Sequence, residues 1–199
     1  MKLVIGLGNP GDRYMNNRRN IGFKIVDVLA NNMNIQIKTK KKKSLLGVGD
    51  FEGHKLVLLK PQTFMNLSGE AVLYIASFLR VPVANIIVIH DDYSLDYTDV
   101  VVARGALEIP HEGVQSIIEG LKSDRFVRIR VGIGPIPRSD QSRPPTEEEI
   151  QKHLMSDFHM SENMRIIEVI NDAEAALRSI LTQDIEDVLS RYRLGRKIK

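Results

Sequence analysis

Apolar residues along the chain form short continuous runs in some places and recur at helical spacing in others. The continuous runs, which predict buried strands, are Leu3–Ile5, Ile86–Ile89 and Val100–Ala103. Val48–Phe51 and Lys55–Leu59 flank a Glu52-Gly53 turn and predict a pair of strands. Over Phe126–Ile133, apolar and polar residues alternate, which predicts a half-buried strand.

Helical spacing occurs between these strands and after the last of them. The expected helices start near Asn20, Ser68, Val114, Thr146, Ser161 and Asp184. We expect Ser68 to cap its helix, Thr146 and Glu149 to form a capping box, and Met164 and Ile167 to face inward. Strands that alternate with helices predict an α/β domain whose twisted sheet is mixed, largely parallel and flanked by helices.

The predicted elements fall into a single domain over residues 1–192, followed by a basic tail at 193–199 that we expect to be disordered. Within the domain, the stretch Pro135–Pro145 is rich in proline, serine and arginine and predicts a mobile loop. No internal repeat and no shift in composition indicates a second domain.

Composition narrows the possible chemistry. The 199 residues include no cysteine, which excludes disulfides, thiolate metal sites and a cysteine nucleophile. The five histidines show no ligand spacing with acidic residues, so we expect no metal, and we expect no cofactor. Neither a signal peptide nor an apolar stretch of about 20 residues is present, so a cytoplasmic protein that does not span a membrane is expected, and we expect a monomer.

Gly6 to Gly11 fit the spacing G-x-G-x-x-G after a strand, which is typical of dinucleotide-binding loops. In such loops a helix opens at the third glycine, whereas here polar residues 12–17 intervene and helical spacing starts only near Asn20. A nucleotide-dependent enzyme is therefore the weakest of the functions considered. A tight loop that borders a site at the carboxyl end of a strand is the better interpretation.

Three motifs carry a resemblance to a known family. They are Gly6-Leu7-Gly8-Asn9-Pro10-Gly11 with Tyr14 and Asn17-Arg18-Arg19-Asn20, then Lys60-Pro61-Gln62-Thr63-Phe64-Met65-Asn66-Leu67-Ser68-Gly69, then Ile89-His90-Asp91-Asp92 through His111 and Gly113. With Arg128–Gly134 and Ser190-Arg191-Tyr192, they make the chain similar to bacterial-type peptidyl-tRNA hydrolases over residues 2–192. The resemblance implies action on the ester between a nascent peptide and tRNA, with peptidyl-tRNA or tRNA as partner.

The family's chemistry, carried over position by position, uses a histidine as general base for water and an aspartate that orients it. The resemblance makes Asp91 that aspartate and puts Arg19 at the histidine position. It assigns substrate binding to Asn9, Tyr14, Met65, Asn66, His111 and Glu112, of which Glu112 stands where the family has an asparagine. Met65 could also be core filling, and Asn9 and Asn66 could only cap turns.

The arginine at position 19 changes the expected chemistry. A guanidinium stays protonated at every pH at which proteins remain folded, so Arg19 cannot accept a proton from water. If Asp91 lies beside it, the two should form a charge-assisted ion pair. The alternative bases are Glu112, His111 and His90. For each of them a structural role is the other interpretation: Glu112 could pair with Arg19 or Lys122 or face water, His111 could orient the loop, and His90 could be a hydrogen-bonded structural histidine.

Other changes lie in the same region of the sequence. Ile109-Pro110 replace two glycines of the family's pattern, which adds bulk and removes an amide donor. Asp99, Val101 and Ala103 stand where basic residues are usual, which weakens attraction for phosphates.

Two functional hypotheses remain beside the nucleotide-dependent enzyme. The first is a peptidyl-tRNA hydrolase whose activity is weak or lost, and the second is a non-catalytic homologue that binds tRNA or another RNA. The net charge of +3 fits a polyanionic partner but is also ordinary for a soluble protein. Lys38 and Lys40–Lys43, like Arg138 and Arg143, could contact phosphates or could simply be solvated.

Overall fold

A seven-stranded mixed sheet forms the centre of the molecule. The computed structural model describes residues 1–97, 99–138, 140 and 142–193. The strands are β1 (Lys2–Gly6), β2 (Thr39–Lys40), β3 (Ser44–Phe51), β4 (His54–Pro61), β5 (Ile86–Asp92), β6 (Val100–Arg104) and β7 (Val127–Gly132). Their order is β2-β3-β4-β1-β5-β7-β6. The central strands β4, β1, β5 and β7 are parallel, and β2, β3 and β6 pair antiparallel at the two sides.

Helices cover both faces of this sheet. They are α1 (Ile21–Asn32), α2 (Ser68–Phe78), α3 (Glu112–Leu121), α4 (Glu147–Leu154), α5 (Asn163–Thr182) and α6 (Ile185–Arg191). One apolar core lies between the sheet and α1, α5 and α6, and a second lies under α2 and α3. Because both faces are covered, Leu3–Ile5 of β1 and Ile86–Ile89 of β5 are continuously apolar rather than alternating. The predicted α/β class and mixed sheet are confirmed.

Each predicted strand and helix is present, although β2 and the first four residues of β3 were not predicted. Three further details are corrected. Ser68 does not cap α2, because the short turn Met65–Leu67 runs directly into the helix. The amide of Gly69 instead donates to the hydroxyl of Ser116 on α3, across 2.9 Å. The capping box of Thr146 and Glu149 does form at the start of α4.

The second correction concerns the start of α5. Met164 and Ile167 are 69% and 53% exposed, so the prediction that they face inward was wrong. Burial along this helix begins at Val169, so helical spacing alone overstated the length of the buried face.

The third correction concerns β7, which is buried on both faces rather than half-buried. Arg128 and Arg130 are only 2% and 5% exposed. Arg130 pairs with the buried Asp92 at 2.7 Å and with Glu108, and Arg128 donates to the carbonyl of Ala106. Asp92 and Glu108 compensate the buried charge of Arg130. Arg128 has only the bond to a carbonyl, and its Nε has no hydrogen-bond partner among the described residues. The polar residues of β7 therefore do not mark a solvated face.

The basic tail lies almost wholly outside the described residues, as do parts of the predicted mobile loop. In that loop, Arg143 pairs with Glu149, and Arg138 donates to the carbonyl of Arg143. Across the described ranges, no helix combines the length and the apolar character that crossing a membrane requires.

Candidate active site

The carboxyl ends of the parallel strands bring the predicted site residues to one edge of the sheet. The loop after β1 supplies Asn9, the turn after β4 supplies Met65, and the end of β5 supplies Asp91. Arg19 comes from the short turn Arg18–Asn20 that leads into α1, and His111 is the N-cap of α3. Open α/β sheets hold their sites at this edge because the loops there converge.

Asp91 lies at the centre of the site as a buried carboxylate that is only 1% exposed. Arg19 donates through Nη1 to its Oδ2 across 3.1 Å. The Nε2 of His111 lies 3.1 Å from the other oxygen, Oδ1. Both carboxylate oxygens are thus engaged by side-chain donors, and the expected ion pair between Arg19 and Asp91 is present.

The charges around Asp91 keep it ionised. Burial alone would raise the pKa of this carboxyl, but the Arg19 guanidinium and then His111 act against burial and hold the pKa well below its usual range. An aspartate with so low a pKa remains an anion near neutral pH. It is an ion-pair partner and hydrogen-bond acceptor there, and a poor proton acceptor.

His111 is held by two hydrogen bonds that define its tautomer. The amide of Val114 donates to Nδ1 across 3.3 Å, so this nitrogen carries the lone pair. The proton is therefore on Nε2, which donates to Asp91. With both nitrogens engaged and 3% of the residue exposed, His111 caps α3 and orients the loop before it.

His90 packs edge-on against His111, with ring centroids 4.6 Å apart. Its Nδ1 lies 2.8 Å from the carbonyl oxygen of Asp91, while Nε2 is buried with no hydrogen-bond partner among the described residues. Burial, followed by His111, holds the pKa of His90 well below its usual value, so the ring is neutral. His90 is therefore a buried structural histidine, which was one of the two predicted roles.

Glu112 begins α3 and points toward solvent. Its side chain is 58% exposed, and Oε2 lies 3.9 Å from Nη2 of Arg19. This carboxylate is close enough to add to the ion pair but lacks the apolar enclosure that is typical of carboxylates that act as general bases. The pairing with Arg19 that the sequence suggested is therefore found, and the pairing with Lys122 is not among the ion pairs of the described residues.

Asn9 is fixed in place by bonds to two neighbouring loops. The side chain of Asn20 accepts from the Asn9 amide and donates to the Asn9 carbonyl, both across 2.9 Å. The Oδ1 of Asn9 accepts from the amide of Met65, also across 2.9 Å. Among the described residues no bond uses Nδ2 of Asn9, so this amide group can donate to a ligand.

Asn9 also borders an open groove of about 500 Å³ beside the site. Polar groups of Asn20, Lys60 and Gln62 line one part of it, and Phe23 and Ile170 line another. Mixed polar and apolar walls suit a ligand that is itself amphipathic, such as a peptide segment.

The remaining predicted residues lie at varying distances from this centre. Met65 is 3% exposed and belongs to the core under α2 and α3, where its sulfur packs on Gly113 so closely that a Cβ there would overlap it. Asn66 is exposed on the turn after β4. Tyr14 is half-buried, and Arg13 lies 4.5 Å over its ring, away from the bonds around Asp91.

Sequence reasoning missed Arg18, which anchors the turn that carries Arg19. Its guanidinium forms a bidentate pair with Glu162 and also bonds Tyr97 and the carbonyl of Ile133. The turn is further held by the amide of Arg18, which donates to the carbonyl of Ser156. The sequence does not show which of the two adjacent arginines is structural, because Tyr97 and Glu162, the partners of Arg18, are more than 70 residues away from it.

Within the described residues, no group of three or more histidine, aspartate or glutamate side chains is arranged to hold a metal ion. The fold and the site together define an α/β protein with a buried carboxylate at the carboxyl edge of a parallel sheet, next to an amide-bearing loop and an open groove.

Comparison with known proteins assigns the family. The peptidyl-tRNA hydrolase family model matches residues 3–199. A peptidyl-tRNA hydrolase of Caldanaerobacter subterraneus subsp. tengcongensis is 38% identical over 96% of this chain and 99% of that protein. One from Clostridium botulinum is 36% identical over 96% of this chain and 95% of that protein.

The fold agrees with this assignment. A crystal structure of peptidyl-tRNA hydrolase from Acinetobacter baumannii superimposes with a TM-score of 0.86 at 26% identity, covering 98% of this chain and 96% of that chain. The chain belongs to the peptidyl-tRNA hydrolase family, as its motifs predicted.

Proposed function

We propose that this protein binds peptidyl-tRNA at the Asn9–Asp91 site and that its hydrolysis of the ester is weak or lost. The observation that carries the proposal is the ion pair between Arg19 and Asp91. The family resemblance puts Arg19 where a histidine accepts the proton of the attacking water. The Arg19 guanidinium cannot accept that proton. It also donates a hydrogen bond to Asp91, the carboxylate that would otherwise orient a base.

Among the described residues, none of the three other candidate bases is in a position to replace the histidine. His111 has both ring nitrogens engaged, and His90 is 2% exposed. The Glu112 side chain is exposed, and its carboxylate lies 3.9 Å from the Arg19 guanidinium, with which it can form an ion pair. Loss of a general base lowers a rate by roughly 10²–10⁴.

Binding is supported by features that do not depend on the base. The free amide group of Asn9 and the groove beside it can hold the peptide part of a substrate. Tyr14, Met65, Asn66, His111 and Glu112 stay in the proposal as substrate-binding positions by resemblance. The proposal implies a cytoplasmic protein, because peptidyl-tRNA arises during translation.

A single-turnover assay on N-acetylaminoacyl-tRNA tests the catalytic half of the proposal. We expect a rate at least roughly 10² below that of the Caldanaerobacter relative measured in parallel. A rate within a factor of ten of that enzyme would overturn it. If no enzyme-dependent hydrolysis is detected, the result supports the alternative function, an RNA-binding homologue without catalysis.

Binding is measured separately with a tRNA analogue whose 3′ ester is replaced by an amide. We expect wild-type protein to bind this analogue, and Asn9→Ala to weaken binding by roughly five- to tenfold through loss of one hydrogen-bonding amide. Asn31→Ala, the same change at an exposed position on α1, is the matched control. Equal affinities for all three proteins would contradict the placement of the substrate at Asn9.

A further inference from the structure

The turn between β2 and β3 carries lysines that lie against the outer face of α2. The Nζ of Lys41 is 3.2 Å from the centroid of the Phe78 ring, and the Nζ of Lys42 is 5.6 Å from that of Tyr74. Lys43 pairs with Glu70 on the same helix across 3.7 Å. Three consecutive lysines therefore lie beside one face of a single helix.

That face of α2 exposes aromatic rings to solvent. Tyr74 and Phe78 are 40% and 56% exposed, and their rings are parallel within 2° with centroids 6.4 Å apart. Leu73, at 41% exposure, extends the same apolar surface. A shallow hollow of about 650 Å³ lies along these side chains and Lys42. Large exposed side chains grouped in this way mark an interaction surface more often than scattered ones do.

The backbone of the turn is unfavourable for the residues it carries. Lys40 pairs with Leu45 across the hairpin, and the amide of Lys41 donates to the carbonyl of Ser44, which leaves Lys42 and Lys43 as a two-residue loop. Their φ angles are 39° and 54°, in the left-handed region. Two-residue loops with both φ angles positive favour Asn-Gly, because a Cβ is strained there. Lysine at both of these strained positions indicates that the two side chains have a function other than stabilising the turn.

The charge of this surface selects the kind of partner. Lys38 and Lys40–Lys43 put five cations within six residues, and Glu70 is the carboxylate that pairs with one of them among the described residues. Arg80, exposed just beyond the end of α2, adds another cation. Flat rings interleaved with mobile cations suit unpaired nucleotides, whose bases stack on rings and whose phosphates attract lysines. An acidic peptide would leave the parallel rings without a role.

We infer that Lys38, Lys40–Lys43, Tyr74 and Phe78 form a basic–aromatic platform that binds unpaired RNA nucleotides. Bases stack on Tyr74 and Phe78, and the lysine ammonium groups that lie over the rings move to the phosphates. Since α2 starts beside Met65 and Asn66, Phe78 lies about 15 Å along the helix from the candidate active site. The platform is a second contact surface and requires neither Arg19 nor Asp91.

Fluorescence anisotropy with a labelled single-stranded 12-mer of RNA, which has no peptidyl ester, tests the platform alone. Tyr74→Leu/Phe78→Leu keeps the surface apolar and removes the rings, and we expect it to bind at least about tenfold more weakly. Binding of wild-type protein should weaken with salt, and removing a lysine should reduce the slope of log affinity against log salt by roughly 0.7.

Lys42→Asn/Lys43→Gly separates a binding role from a structural one. Asn-Gly suits the turn, so we expect this variant to raise the Tm by roughly 2–4 °C while it weakens RNA binding. Lys122→Gly is the matched control, because Lys122 also has a positive φ, at 51°, and ends α3 rather than belonging to the β2–β3 turn. It should raise the Tm without changing RNA affinity.

Three results would overturn the inference. One is unchanged RNA affinity in both platform variants, and another is an equal loss of affinity in Lys122→Gly. The third is binding of poly-glutamate, or of vesicles containing phosphatidylglycerol, that depends on Tyr74 and Phe78 as strongly as RNA binding does. Because the oligonucleotide carries no ester, these results are independent of whether the protein hydrolyses or binds peptidyl-tRNA at Asn9.

Discussion

The guanidinium of Arg19 donates to the buried carboxylate of Asp91 across 3.1 Å, and both side chains are nearly inaccessible to solvent. Two opposite charges buried together hold each other in their ionised forms, because neutralising either would leave the other uncompensated. The pair therefore fixes the electrostatic state of the site. The same contact engages Asp91 with a guanidinium, which cannot accept a proton from water, and the proposed loss of hydrolysis rests on this.

Breaking this ion pair should be costly for stability. Arg19→Met would leave the Asp91 carboxylate buried with His111 as its remaining side-chain donor, and we expect the free energy of unfolding to fall by about 3–5 kcal/mol. Urea denaturation measures the change. Arg104→Met is the matched control, because Arg104 pairs with Glu186 at the surface and should contribute at most about 1 kcal/mol. Equal losses in the two variants would contradict the account of the buried pair.

Glu112 should make little difference to catalysis. Its side chain is 58% exposed and its carboxylate lies 3.9 Å from the Arg19 cation, so we expect Glu112→Gln to change the single-turnover rate at saturating peptidyl-tRNA by less than about threefold. Glu119→Gln, at an exposed position further along α3, is the control for loss of charge. If Glu112→Gln alone removed tenfold or more of the measured rate, Glu112 would be the missing base.

The buried histidines should make the protein less stable in mild acid. Burial is the first cause that lowers the pKa of both His90 and His153, so in the folded state each binds a proton only at lower pH than in the unfolded chain. Below about pH 6.5 the unfolded state takes up protons that the folded state does not. The free energy of unfolding should therefore fall as pH drops from 7 toward 5, by up to about 1.4 kcal/mol per pH unit for each histidine.

Replacing one of these histidines tests that dependence. His90→Asn keeps a donor for the carbonyl of Asp91 and no longer titrates, so the pH dependence of stability should become shallower, whatever its effect on stability at pH 7. Urea denaturation at several pH values provides both slopes. If the free energy of unfolding depends on pH as steeply in His90→Asn as in wild type, groups other than His90 cause the loss of stability in acid.

Much of the fold could be predicted from local pattern. The apolar runs that became β1 and β5 and the helical spacing of α1 and α3 reflect burial on the faces of one sheet, which hydrophobic periodicity records directly. The burial of Arg130 was not predicted, because its carboxylate partners Asp92 and Glu108 are not apparent from the strand itself. The burial of Arg128, which bonds only a carbonyl, has no signal in the sequence either.

The site was predictable in part. Physical reasoning on the side chains predicted that Arg19 and Asp91 would pair if the fold brought them together, and the motif order suggested that it would. The tautomer of His111 and the exposure of Glu112 could not be predicted, because they depend on how α3 begins relative to β5. The role of Arg18 depends on Glu162, which is 144 residues away in the sequence.

The proposal that Arg19 leaves the site without a general base is tested most directly by single-turnover hydrolysis of N-acetylaminoacyl-tRNA. Wild-type protein and Arg19→His/Glu112→Asn are assayed together. The double variant replaces the guanidinium beside Asp91 with an imidazole that can accept a proton near neutral pH. We expect the double variant to hydrolyse the ester faster than wild type by roughly 10² or more. A wild-type rate equal to or above that of the double variant would contradict it.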